Sequence, residues 1–160
     1  CRLCSWLFGG GIMKDKEIIA DFQFLGNRVD KFVLDTKLIE EKGRSSIAFD
    51  FDYEVVEVAE DNARFFGIIQ LIVQGKAKIK NKILFKIDLK MEGAFSGNAE
   101  KLSHQKFTDM LEMNGLITLL HISRAYVLSV TSQSGINPPV KLPMVNVIKL
   151  REKKAQQSQG

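Results

Sequence analysis

Cysteine is nearly absent. The 160-residue chain has two, Cys1 and Cys4, both within its first four positions. Cys-Arg-Leu-Cys has CxxC spacing, but a zinc site needs four ligands and no second pair is present. His104 and His121 stand far from it and are not spaced together. A redox CxxC should open a helix beside a strand, and nothing around it has that pattern. No metal and no cofactor is therefore expected.

Proline, tyrosine and tryptophan are also scarce, at 3, 2 and 1 residues, whereas phenylalanine reaches 11. With 45% apolar and 26% charged residues, so few prolines exclude a largely disordered or collagen-like chain. Phenylalanine has no polar handle, so the aromatic skew favours apolar contact over hydrogen-bonded recognition. The length suits one domain able to bury a core.

No apolar run reaches the ~18 residues that span a bilayer. The nearest, Leu116 to Val130, is 15 residues long and contains His121 and Arg124. A strong charge excess is lacking too. The net charge is +4, but Arg2 and the tail Arg151–Gly160 supply three of those charges, leaving +1 for residues 3–150. Proteins that gather nucleic-acid phosphates carry a larger, clustered excess, so nucleic acid is not an expected partner.

A catalytic constellation is missing as well. Neither histidine has a cysteine or serine nucleophile at motif spacing. The carboxylates fall at strand positions that face solvent, and Gly9–Gly11 lacks the GxxxxGK[ST] lysine and hydroxyl. An enzyme is not expected.

The chain begins at Cys1, and residues 1–12 lack the basic segment, apolar stretch and cleavage site of a secretory signal. Gly9–Gly11 is what a purine-rich ribosome-binding sequence becomes when read in frame, one codon before Met13. Met13 is thus the expected start, and residues 1–12 are expected to be a non-native or untranslated-leader extension. From Met13 onward there is no cysteine, which fits a cytoplasmic location. The expected domain is 13–150, followed by a charged, flexible tail over 151–160.

What is present is alternation. From Glu17 to Phe95 apolar and polar residues alternate with period two, the mark of strands with one covered face. Ile83, Phe85, Ile87, Leu89 and Met91 share one face, with Lys86, Asp88, Lys90 and Glu92 on the other. Ile47, Phe49, Phe51, Tyr53 and Val55 form a second row, answered by Asp50, Asp52 and Glu54. A first strand lies within Ile18–Leu34, bulged near Gly26–Asn27, and Lys80–Asn81–Lys82 is a tight turn. The alternating Lys76, Lys78, Lys80 and Lys82 have no interleaved aromatics on which bases could stack. They read as a solvated sheet face on which lysine discourages edge-to-edge pairing.

After Phe95 the pattern changes. Ser96–Gly97–Asn98 breaks the strand, and Ser103 caps a short helix carrying Phe107, Met110 and Leu111. Asn114–Gly115 interrupts, and Leu116–Ser134 forms a long helix, apolar around most of its circumference. One sheet covers only one side of such a helix, so a second subunit is expected on the other. Pro138, Pro139 and Pro143 make a stiff connector to a short element at Val145–Lys153. The fold class is α+β, a four-stranded antiparallel sheet followed by a long helix and a short C-terminal helical element.

Two segments, ILFKIDLKMEGAF (Ile83 to Phe95) and LLHISRAYVLSVTSQSGINPPVKLP (Leu119 to Pro143), resemble the SecB protein-export chaperone family. In that family an apolar strand ends in a glycine-containing turn and a phenylalanine. A helix with an (F/Y)PYAR-like motif and a proline-rich connector come next. Here the motif reads Leu120-His121-Ile122-Ser123-Arg124-Ala125-Tyr126, with Arg124 kept and His121 and Ile122 replacing the proline and tyrosine. The resemblance extends from Asp15 to about Leu150, in pattern more than identity over its first half.

The resemblance implies a homotetramer, a dimer of dimers, that holds unfolded polypeptides without ATP and keeps precursors export-competent for the translocase motor SecA. It implies an apolar client groove, for which Phe49, Phe51, Phe95, Phe107, Met110, Met113 and Met144 are the candidates. It implies a subunit interface along the helix at Leu116, Leu119, Leu120, Arg124, Tyr126 and Val127. SecA docking would fall to Asp35 and Asp88, although Lys86 and Lys90 flank Asp88 and oppose an acidic patch. A SecB-like chaperone dedicated to an antitoxin is the alternative. A small-molecule binder, with the helix closing an apolar cavity over the sheet, is a third reading, which a helix lacking a polar face disfavours.

Overall fold

The computed structural model describes residues 20–40 and 42–160. The leader expectation, Cys1, Cys4, Met13 and the first residues of the expected first strand fall outside them. Four long strands, β1 (Phe22–Thr36), β2 (Ser46–Asp61), β3 (Arg64–Ile79) and β4 (Lys82–Asn98), form one antiparallel sheet in the order β1-β4-β3-β2. The alternation explains it, because one face is covered by helices. Leu71, Val73, Phe85, Ile87, Leu89 and Met91 are buried there.

The expected turn is present at Lys80–Asn81, with φ of +46° and +67°. A second, at Asn62–Ala63 (φ +49° and +62°), joins β2 to β3. Two positive φ values match the twist of paired strands, which is why such turns suit two-residue hairpins. β1 skips register between Phe24 and Gly26, at the expected bulge, and again between Val29 and Lys31. β4 does not break at Ser96. It pairs with both neighbours to its end, Gly97 with Phe22 and Asn98 with Arg64, and those partners keep it extended.

Ser103 does cap α1 (His104–Met110), its hydroxyl accepting from the Lys106 amide at 3.2 Å. Gly115 does not interrupt the helical run. One π-helical turn, Leu111–Gly115, joins α1 to α2 (Leu116–Gln133) without a break. Leu116 is nine residues after Phe107, so an unbroken α-helical period would point it about 180° away. The wider turn restores the phase and brings Leu116, Leu119, Leu120 and Val127 onto the sheet with Phe107 and Leu111.

Glycines set how close this contact is. A Cβ on Gly97 would lie 2.6 Å from Phe107 Cδ2, and one on Gly93 would lie 2.8 Å from Leu119 Cδ2. The helices therefore sit directly on β3 and β4, and no apolar chamber separates them as the small-molecule reading required.

α3 (Val147–Ser158) runs past residue 151, which corrects the expected flexible tail. Arg151 pairs with Glu112 at 3.0 Å and Lys154 with Asp52 at 3.0 Å, so this segment is a helix held by distant carboxylates. Among the described residues no helix is long and apolar enough to cross a membrane.

Two substitutions test these backbone arguments in opposite directions. Gly97→Ala should destabilise the fold by about 1–3 kcal/mol, because Phe107 has nowhere to go. Ala63→Gly should stabilise it by up to about 1 kcal/mol by relieving a left-handed alanine. Urea denaturation of both variants measures each sign.

Candidate functional site: an apolar groove beside the long helix

The connector between α2 and α3 is bound to α2 at two points. Thr131 Oγ1 donates to the Val127 carbonyl at 2.7 Å and accepts from the Val140 amide at 2.9 Å. Arg124 donates through Nε to the Leu142 carbonyl at 3.0 Å and through its terminal nitrogen to the Pro143 carbonyl at 3.2 Å. Val140 and Leu142 are buried beneath these bonds. Asn146 then caps α3 by accepting from the Lys149 amide at 3.1 Å.

This arrangement leaves a groove of about 310 Å³ between α2 and the connector with the start of α3. Met113, Ile117, Leu120 and His121 line it from the long helix, and Met144, Val145, Val147 and Ile148 from the other wall. Met144 is 80% exposed, Ile148 58% and Ile117 40%. Unbranched thioethers and isoleucines give apolar, shape-tolerant contact with few directional demands. Arg124 and His121 bring the polar groups, their side chains 3.2 Å apart.

Of the expected groove residues, the structure brings Met113 and Met144 together. Phe49 and Phe51 are half-buried on β2, their ring centroids 6.2 Å apart, outside this groove. Met110 packs on a separate cluster of Phe65, Leu102 and Phe107. Phe95 and Phe107 are corrected to core, at 1% and 0% exposure, because Phe95 stacks on Phe22 and Phe107 on Phe65.

The interface expectation is corrected in the same way. Leu116, Leu119 and Val127 are spent within the chain against the sheet, and Leu120, 4% exposed, only lines the groove, so these residues form no face for a second subunit. Tyr126 makes an edge-on contact with Phe32 at 5.3 Å, and Arg124 clamps the connector. Nor is the helix apolar all round. Its outward strip is Thr118, His121, Ala125, Ser129 and Ser132. Ile117, Ile148 and Val145 escape sequence reasoning because the helical period does not say where a connector will fold back.

Asp35 lies opposite Lys86 in the β1–β4 register, and Asp88 pairs with Lys31 at 2.8 Å. Among the described residues no group of three or more His, Cys, Asp or Glu side chains could hold a metal.

α3 is fastened beside the groove by charge. Arg151 reaches Glu112 and, at 3.3 Å, Asp109. The Tyr53 hydroxyl donates to Glu112 at 3.4 Å, with the Lys154 ammonium 5.9 Å from the Tyr53 ring. Burial raises the Tyr53 phenol above its ordinary 10.0, and the neighbouring Glu112 carboxylate raises it further, while Arg151 pulls the other way.

No protein-family model matches the chain. No curated protein matches it either. Among solved structures, a SecB-like chaperone of Mycobacterium tuberculosis, in complex with a peptide from an antitoxin, superposes with a TM-score of 0.58. Its sequence identity is 16%, over 79% of this chain and 91% of that one. The fold is SecB-like. A protein of unknown function from Streptococcus agalactiae matches at a TM-score of 0.42, with 14% identity over 77% of this chain and 97% of that one. In this SecB-like fold the expected α+β architecture stands, with its sheet, long helix and C-terminal helix in the expected order.

The raised Tyr53 phenol bears on alkaline stability. Its contribution is present in full below pH 10.0. Above that, the unfolded chain releases a proton that the folded state keeps, and stability falls as pH rises. Urea denaturation at pH 8 and pH 11 should show a smaller alkaline loss in Tyr53→Phe than in the parent.

Proposed function

We infer that this chain is an ATP-independent holdase chaperone whose clients are unfolded polypeptides. The observation that carries the reading is the groove: Met144, Ile148 and Ile117 stay exposed although Arg124 and Thr131 fix the wall that presents them. Leaving large apolar side chains in water is unfavourable for a free protein, and a ridge of them marks a surface meant to be covered. The SecB-like fold supports the same role.

The chaperone would act in the bacterial cytoplasm as a homotetramer, a dimer of dimers. A second copy would pack on the outward strip of α2, where Thr118, Ala125 and Ser129 let another helix approach closely. For clients, an antitoxin segment is favoured over secretory precursors handed to SecA. Its support is twofold: the similarly folded chaperone holds an antitoxin peptide, and Asp35 and Asp88 sit among lysines. A toxin–antitoxin gene pair beside this gene would favour that client, and its absence would favour export.

Size-exclusion chromatography with light scattering, on the full chain and without nucleotide, tests the role. A permanently unfolded, carboxymethylated polypeptide should form a discrete complex, and its folded form should not. Ile117→Asp with Ile148→Asp should weaken that complex by about tenfold or more, since each places a charge in the groove. A monomer that ignores the unfolded chain would overturn the reading.

A further inference from the structure

The groove is apolar along most of its length and cationic at one end. Met113, Ile117, Leu120, His121 and Arg124 succeed one another along the continuous helical run. At 1.5 Å per residue the Arg124 end lies about 16 Å from the Met113 end. Arg124 donates to two uncharged carbonyls, those of Leu142 and Pro143, and its third bond is to His121. A guanidinium can only donate, so His121 accepts at Nδ1 and keeps its ring proton on Nε2. Three of the five guanidinium N–H groups are used in this way, and one on each terminal nitrogen is left.

No carboxylate neutralises this end. Among the described residues Arg124 forms no ion pair, and no residue that lines the groove is acidic. Glu112, next to Met113 in sequence, accepts from Arg151 and Tyr53 and lines a separate pocket with Glu152. Asp109 is likewise bound to Arg151. The first turn of α3, which lines the groove through Val147 and Ile148, has no acidic residue and adds potential of the same sign. A wholly apolar segment laid here would strip water from Arg124 and give nothing back. A carboxylate returns charge-assisted hydrogen bonds in its place.

We propose that the groove selects, among unfolded clients, short apolar runs ended by an aspartate or glutamate. An extended run of about five residues spans the apolar wall, and the carboxylate that follows it meets Arg124 and His121. A side-chain carboxylate is the source, because an unfolded chain offers many of them and only one carboxyl terminus. The proposal rests on the holdase reading and adds a sign of charge to it, since that reading requires only that apolar segments bind.

Three peptides, acetylated and amidated at their ends, carry the same apolar run followed by aspartate, asparagine or lysine, within serine and glycine. A neutral nitrobenzoxadiazole dye at the far end reports binding to the full chain. The aspartate peptide should bind about tenfold more tightly than the asparagine peptide, and the lysine peptide most weakly. In Arg124→Gln the aspartate advantage should fall to about twofold or less, whereas a disturbed connector would weaken both peptides alike and leave their ratio unchanged. Sodium chloride at about 0.5 M should shrink the ratio in the parent. Equal binding of the three, or an aspartate advantage that survives in Arg124→Gln, would overturn the proposal and leave the holdase reading standing. So would an asparagine peptide with a free carboxyl terminus that matches the aspartate peptide. No binding by any peptide would overturn both.

Discussion

The helical half of the molecule rests on the sheet through residues that have no side chain. Gly93 and Gly97 on β4, with Gly67 on β3, let Leu119, Phe107 and Leu111 reach the strand backbone. That contact decides which side of α2 faces inward, and the single π-helical turn keeps α1 and α2 in phase with it. Everything beyond α2 is then hung from the seated helix. Thr131 and Arg124 hold the connector, Glu112 holds Arg151, and the groove is the space these attachments leave. A groove built this way combines a rigid frame with adaptable walls, since its anchors are hydrogen bonds to the main chain and an ion pair, and its lining is rich in methionine and isoleucine.

Much of the fold was legible because it was written with period two. β4 alternates over most of its length, and a strand with one covered face has to. The tight turn at Lys80–Asn81 and the cap at Ser103 were legible for the same reason, each being a local device with a local signature. The features that escaped depend on distant partners. Asn114–Gly115 looks like a break in isolation, but Gly115 is helical because Phe95 and Ile69 lie against it. Residues 151–158 look like a solvated tail, but carboxylates from β2 and the π-helical turn order them.

The site was less legible than the fold, and the reason is physical. A phenylalanine's type says that it will be covered, not by what. Phe95 and Phe107 are covered by Phe22 and Phe65, whereas Met144, with a similar claim to the core, is left in solvent by the turn of the connector. The leucines of α2 point to a neighbouring subunit only while the helix is read as apolar all round. The sheet uses them up, and the outward side is left with threonine, alanine and serine.

The strand order also sets a sequence of events. β2, β3 and β4 are joined by two-residue turns, so their pairings close from the turns outward with little chain to gather in. β1 instead pairs with β4 from the far side of the whole meander, Phe22 meeting Gly97 and Thr36 meeting Phe85. Closing so long a loop is entropically the slower step. The three-stranded meander with its glycine-lined face is therefore the natural nucleus. During synthesis β1 leaves the ribosome before the other three strands and waits longest for its partner, so its backbone stays unpaired until β4 has been made.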